Sequence, residues 1–151
     1  MKVERIEMAP RPFLGLHEVV PASELAEFFG RAFGTVASEL ARHGSAPTGP
    51  AVALYGAMSN DKVDVTAGFP VEPATAAPEG LVRAVLPGGT AIQTTHVGPY
   101  DGLQETYAEL SGWMADHGLT PAAMMWEQYL VGPGGESDPA KWRTRIVYPT
   151  A

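Results

Sequence analysis

A single carboxylate stands in one of the most apolar stretches of the chain. Glu127 lies within residues 122–131 (AAMMWEQYLV), a predicted buried strand rich in aromatic and thioether side chains. Burying a charge without a partner is costly, so a carboxylate here needs a cation nearby. Lys141, Arg143 or Arg145, on the following predicted strand, could supply that cation from the protein itself. The alternative is that a positively charged ligand supplies it, and the residues alone leave both alternatives open.

Aromatic and thioether residues add further binding chemistry to this carboxylate. Tyr55, Trp126 and Tyr148 lie on predicted strands and could stack on planar ligands or hold cations by π attraction. Met58 and Met125 suit an adaptable apolar wall of the same pocket. Each of these residues could instead be ordinary core. We predict that they line a ligand site together with Glu127.

The alternation of side chains along a strand limits which neighbours can join Glu127. Trp126 and Glu127 should face opposite ways unless a bulge lies between them. Met125 and Tyr129 share the parity of Glu127. The sequence therefore leaves open which aromatic residue accompanies the acid.

Metal and triad chemistry are not expected. The chain has no cysteine, which excludes disulfides and thiolate ligands, and it has no GxSxG nucleophile motif. Its four histidines, His17, His43, His96 and His117, show no HxH or HExxH spacing. Two of them, His43 and His117, fall at predicted helix C-termini, where a partial positive charge interacts favourably with the helix dipole. We therefore expect no metal and no organic cofactor.

Composition indicates one globular domain over residues 1–151. The chain is 45% hydrophobic and 18% charged, which excludes a disordered segment. The net charge of −7 argues against direct nucleic-acid binding and mildly favours cationic small molecules. No signal-peptide region and no run of about 20 apolar residues is present. We expect a cytoplasmic protein without membrane association, of undetermined oligomeric state.

Hydrophobic periodicity predicts an alternation of strands and helices. Apolar residues at three- and four-residue spacing indicate two helices, and period-two or continuous apolar runs indicate strands. The predicted helices cover residues 21–44 and 101–117. The predicted strands cover residues 13–20, 51–58, 63–69, 81–86, 90–96, 122–131 and 142–148.

The order strand, helix, strand, strand occurs twice, which indicates an internal repeat with halves of about 1–75 and 80–151. His-Gly pairs end both predicted helices, at Gly44 and Gly118. Aligning Pro50 with Pro121 makes Tyr55 equivalent to Trp126. This duplication predicts an α+β fold in which two β-α-β-β repeats form one antiparallel sheet and both helices pack on it.

The chain resembles the GyrI-like family, the effector-binding fold also found at the C-terminus of AraC-type and MerR-type regulators. The resemblance covers the whole chain and is strongest in the second half. It rests on residues 96–103 (HVGPYDGL), Tyr107, Leu110 and Trp113, residues 126–130 (WEQYL), Asp138 and Pro139, residues 142–144 (WRT) and residues 146–149 (IVYP).

The resemblance implies a ligand cleft between the two halves that takes up bulky, often aromatic and cationic molecules. The family's acidic pocket residue corresponds to Glu127. The chain begins at this fold, so it resembles a stand-alone member without a DNA-binding domain.

Three functions follow from the resemblance. The leading hypothesis is a multidrug-type binding protein. The first alternative is a hydrolase that opens the cyclopropane ring of DNA-alkylating natural products for detoxification or self-resistance, with Glu127 as the catalytic residue. The second is a protein–protein module acting on a regulator or on DNA gyrase.

Overall fold

Strands and two main helices alternate along the chain in a computed structural model that describes residues 2–120, 122, 124–132 and 135–150, apart from the side chains of Ala57 and Met58. No helix in these ranges is long and apolar enough to cross a membrane. In chain order the elements are β1 (Glu4–Met8), β2 (Arg11–Pro21), α1 (Leu25–Arg42), β3 (Ala51–Ser59), β4 (Lys62–Pro70), β5 (Val82–Leu86), β6 (Gly89–Val97), α2 (Leu103–Asp116), β7 (Met125–Val131) and β8 (Arg143–Pro149).

All strands join one antiparallel sheet in the order β1-β6-β8-β7-β3-β4-β2-β5. The order reads equivalently from both ends, with β3 and β7 paired at the centre. Each half is a strand, helix, strand, strand unit, as the repeat predicted. The outermost strands are exchanged between the halves: β1 precedes β2 but pairs with β6, and β5 precedes β6 but pairs with β2.

The structural repeat has a different register from the alignment on Pro50 and Pro121. Superposing the first residues of β3 and β7, Ala51 and Met125, makes Tyr129 the equivalent of Tyr55. In the same register Trp126 corresponds to Val52 and Glu127 to Ala53. The predicted equivalence of Tyr55 and Trp126 is therefore wrong. The reason is that sheet pairing, rather than the preceding proline, determines where each strand begins.

The His-Gly pairs at the helix ends are the correct anchors for the repeat. Gly44 and Gly118 lie at the same distance in sequence from the first residues of β3 and β7. Both adopt a left-handed backbone, with φ of 70° and 68°, which glycine reaches at little steric cost. Each glycine therefore ends a helix at an equivalent point of its half.

The two helices pack on the same face of the sheet. On α1 the buried residues recur every fourth position, which places them on one side of the helix, and that side packs against β2 and β4. They are Phe28, Ala32, Val36 and Leu40. On α2, Leu110 and Met114 pack against Ile92 and Ile146. The helices thus form two walls above the central strands.

Candidate functional site

An open cleft of about 1700 Å³ lies between α1 and α2, with β3 and β7 contributing to its lining. This volume exceeds the range of about 300–1000 Å³ common for small-ligand pockets. Every tyrosine of the chain lines the cleft: Tyr55, Tyr100, Tyr107, Tyr129 and Tyr148. Glu127 lies among them. Tyrosines from both halves of the sequence thus meet around one carboxylate in the fold.

Three of these tyrosines donate hydrogen bonds to the Glu127 carboxylate. The Tyr129 hydroxyl lies 2.6 Å from Oε1, and the Tyr55 hydroxyl lies 3.2 Å from the same atom. The Tyr107 hydroxyl donates to Oε2. Glu127 itself is only 5% exposed. The buried carboxylate is therefore stabilised by neutral phenol donors.

The pseudo-symmetry of the sheet explains this arrangement. Glu127 on β7 pairs directly with Ala53 on β3, at the junction of the two halves. Tyr129 and Tyr55 each lie two residues further along their own strands, so they share the face of Glu127 and flank it. Tyr107 reaches the same carboxylate from the start of α2.

Within the described residues, Glu127 forms no salt bridge. Glu127 pairs across β8 with Ile146, whereas Arg145 pairs with Gln128, on the opposite face of the sheet. There the Arg145 Nη1 donates to the Gln128 Oε1 at 3.4 Å. Strand alternation thus directs Arg145 away from the acid. The protein cation considered as an alternative partner of Glu127 is therefore not supplied by Arg145.

Burial and the charge of Glu127 keep the cleft phenols protonated. Desolvation is the largest cause that raises the pKa of Tyr55, Tyr107 and Tyr129 well above the usual value near 10, and the neighbouring Glu127 charge raises it further. The same two causes raise the pKa of the less buried Tyr100 and Tyr148. All five phenols therefore remain neutral at physiological pH.

These shifts predict a delayed and cooperative tyrosine titration. A pKa raised in the folded state contributes stability that is complete below the unfolded pKa of about 10 and is lost as pH rises above it. We therefore expect tyrosinate absorbance near 295 nm to stay low past pH 10 and then to rise together with loss of the circular dichroism signal. Urea-unfolded chain, the control, should titrate near pH 10. Ionisation of all five tyrosines near pH 10 in the folded protein would contradict the burial of the cluster.

Phenylalanines form the apolar part of the cleft. Phe29 and Phe33 on α1 lie one helical turn apart and make edge contacts with the Tyr129 ring at 6.2 and 5.7 Å between centroids. Phe29 also contacts the edge of the Tyr55 ring, and Phe33 contacts Phe69. Edge-to-face pairs of this kind hold aromatic side chains in defined orientations. The wall is thus built of mutually braced rings.

The two halves contribute different chemistry at equivalent positions of the repeat. Aligning the first residues of β3 and β7, the first residues of the helices and the last residues of β4 and β8 gives three equivalent pairs: Ala53 and Glu127, Phe29 and Tyr107, Phe69 and Tyr148. All of these residues except the buried Ala53 line the cleft. In each pair the first half supplies an apolar side chain and the second half its polar counterpart. The cleft therefore has an apolar side and an acidic, hydroxyl-bearing side.

Most of the predicted site residues lie at the cleft. Glu127, Tyr55, Tyr148 and Met125 line it. The side chain of Met58 lies outside the described residues. Trp126 does not line the cleft: it is fully buried on the opposite face, packed with Phe13, Val52 and Val147. The pairing of β7 with β8 is continuous across Trp126 and Glu127, so no bulge turns the indole toward the acid.

Sequence reasoning missed several residues of the cleft. Tyr129 had the parity of Glu127, which was the signal that could have selected it. Tyr107 and the Phe29–Phe33 pair belonged to helical apolar stripes that read equally well as core. Tyr100 and Phe69 had no distinguishing local pattern.

A profile of the GyrI-like small molecule binding domain matches residues 1–151. The chain belongs to the GyrI-like family. It is a small-molecule binding domain of the kind that the family description names. No curated protein sequence matches the chain significantly.

Solved structures share this GyrI-like fold at low sequence identity. The EcmrR C-terminal domain superposes with a TM-score of 0.80 at 21% identity, covering 99% of this chain and 97% of that one. SAV2435 bound to tetraphenylphosphonium gives 0.75 at 14% identity, covering 100% and 94%. A structure described as a hydrolase from Listeria innocua gives 0.62 at 16% identity, covering 99% and 92%.

Proposed function

We propose that the protein takes up bulky aromatic or lipophilic cations in the cleft, as a multidrug-type binding protein. The observation that carries this proposal is the state of Glu127, buried and hydrogen-bonded to three phenols, with no salt bridge within the described residues. The structure of SAV2435, a protein of the same fold, holds such a cation, tetraphenylphosphonium. In this chain the cation would approach Glu127 from the cleft.

The physical balance favours a hydrophobic cation over other ligands. Attraction between charges is several times stronger in a partly desolvated site than in water, so a cation near Glu127 gains more than it would at the surface. A lipophilic cation has a spread charge and loses little hydration on entry. Its aromatic groups would bury apolar surface against Phe29, Phe33 and Phe69. The tyrosine faces would add cation–π attraction.

Two ions of matched shape and opposite charge test this proposal. Tetraphenylphosphonium and tetraphenylborate have nearly the same size and apolar surface, so their difference isolates the sign of the charge. We expect calorimetric titration to show binding of the phosphonium, and the borate to bind at least about 100-fold more weakly. Equal affinities, or tighter binding of the borate, would reject a cation site.

A second candidate function, hydrolysis of an electrophilic ring, is favoured by one feature of the same cluster. Glu127 could accept a proton from a water whose oxygen bonds to a ring carbon, while a ring C–C bond breaks and a tyrosine hydroxyl protonates the carbon that leaves, since both groups lie at one point of the cleft. Return of the proton from Glu127 to the tyrosinate would restore the site. Incubation with a cyclopropane-containing alkylator followed by mass spectrometry tests this. A product heavier by one water that is lost in Glu127→Ala supports turnover, whereas fully recovered ligand rejects it.

A further inference from the structure

The hydrogen bonds to Glu127 occupy most of its acceptor capacity. An ionised carboxylate offers about four lone-pair positions, two on each oxygen. Tyr55 and Tyr129 use both positions on Oε1, and Tyr107 uses one on Oε2. About one acceptor position of the carboxylate therefore remains open.

Cations differ in the number of N–H donors that they must pair with acceptors in this cleft. A primary ammonium carries three N–H donors, and each donor that is buried without an acceptor costs free energy. A quaternary ammonium, a phosphonium or an N-alkylated heteroaromatic ring carries no N–H donor. Such a cation needs only the charge of Glu127 and the faces of the aromatic rings.

The rest of the cleft offers an ammonium only neutral acceptors, which bond to it less strongly than a carboxylate does. The lining is dominated by apolar and aromatic side chains, and the other side-chain oxygens are the Gln104 amide and the hydroxyls of the five tyrosines. Glu127 is the single carboxylate among the lining residues that the structure describes. An N–H group that cannot bond to Glu127 must therefore pair with a weaker neutral acceptor or keep its water.

We propose that the largely occupied carboxylate makes the cleft selective for cations without N–H donors over primary ammonium ions of the same aromatic scaffold. This inference rests on the proposed cation-binding function and names the ligand class within it. Recognition is by charge and aromatic contact, and hydrogen bonding to the ligand contributes little.

A series on one scaffold tests the selectivity. The series consists of (biphenyl-4-ylmethyl)trimethylammonium, its primary ammonium analogue and its neutral neopentyl analogue. All three share the same aromatic part, and both nitrogen compounds are cationic at pH 7. We expect the quaternary ion to bind at least about tenfold more tightly than the primary ion, as measured by calorimetry or displacement of a fluorescent cation. A primary ion that binds as tightly or more tightly would overturn the inference.

Tyr107→Phe separates hydrogen-bond saturation from a general preference for weakly hydrated ions. The substitution frees one acceptor position on Oε2, so the primary ion should gain relative to the quaternary ion, narrowing the preference by about threefold to tenfold. Ser111→Ala is the matched control, because it removes a hydroxyl from the exposed surface of the same helix and does not line the cleft. The preference of this control variant for the quaternary ion over the primary ion should stay unchanged.

The outcomes distinguish the two levels of the proposal. An unchanged preference in Tyr107→Phe, with a native circular dichroism spectrum, overturns the selectivity mechanism and leaves cation binding intact. Tyr129→Phe, which frees a position on Oε1, repeats the measurement if Tyr107→Phe does not fold. Failure of both cations to bind, or equal binding of the neopentyl analogue, rejects the proposed function together with the inference.

Discussion

Glu127→Gln is expected to weaken the binding of a lipophilic cation by about 2–5 kcal/mol, which corresponds to at least roughly 30-fold in Kd. The substitution preserves the size of the side chain and removes the negative charge that lies buried in the cleft. A cation in the site would then be desolvated without a counter-charge. Titration of the wild-type protein and the variant with tetraphenylphosphonium or a rhodamine dye measures the loss.

Two controls make this loss specific to the buried charge. A neutral aromatic compound of similar shape should bind the variant within about threefold of wild type, because apolar burial is unchanged. Glu105→Gln removes the same charge from the exposed surface of α2 and should change cation affinity little, since exposed charges are screened. Equal losses for the cation and the neutral compound in Glu127→Gln would show that the carboxylate acts only through the shape of the cleft.

Trp126→Ala is expected to lower the free energy of unfolding by about 3–5 kcal/mol, the range for truncating a large buried aromatic side chain. Trp126 is fully buried and packs with residues of β2, β3 and β8 on the face opposite the helices. Removing the indole leaves a cavity where several strands meet. Urea denaturation followed by circular dichroism measures the change.

Trp126→Phe is the matched variant. It keeps much of the packing volume and removes an indole N–H that has no hydrogen-bond partner among the described residues, so it should cost clearly less than Trp126→Ala. Its affinity for tetraphenylphosphonium should equal that of wild type, because the ring does not line the cleft. A selective loss of affinity in a stably folded Trp126→Phe would instead place this residue in the site.

The architecture was largely predictable because its signals are local. Four-residue spacing on α1, from Phe28 to Leu40, and glycine stops at Gly44 and Gly118 depend on the helix itself. The order of elements likewise follows from periods that change along the chain. The pairing partner of β1 and the exchange of β1 and β5 between the halves were not predicted. Which strand lies beside which is decided by contacts distant in sequence, and here these pair β1 with β6.

The sequence predicted the chemistry of the site, but only some of the residues that line the cleft. Glu127 stood out because a carboxylate is rare in an apolar strand, and the family resemblance supported a cleft. Trp126, its neighbour in sequence, faces the other way. Of the residues that donate to the carboxylate, Tyr107 had no local feature that separated it from core residues, and Tyr129 had only its strand parity with Glu127.

The sequence by itself determined that a charge is buried in the second half of this chain, because the surrounding residues leave no solvated place for it on a strand. Only the tertiary structure decided what satisfies that charge. Strand parity directs Arg145 to the opposite face, and sheet register and the packing of α2 bring three phenols from distant parts of the chain to one carboxylate. Register and helix packing are non-local, since each is set by the whole sheet rather than by the residues around Glu127.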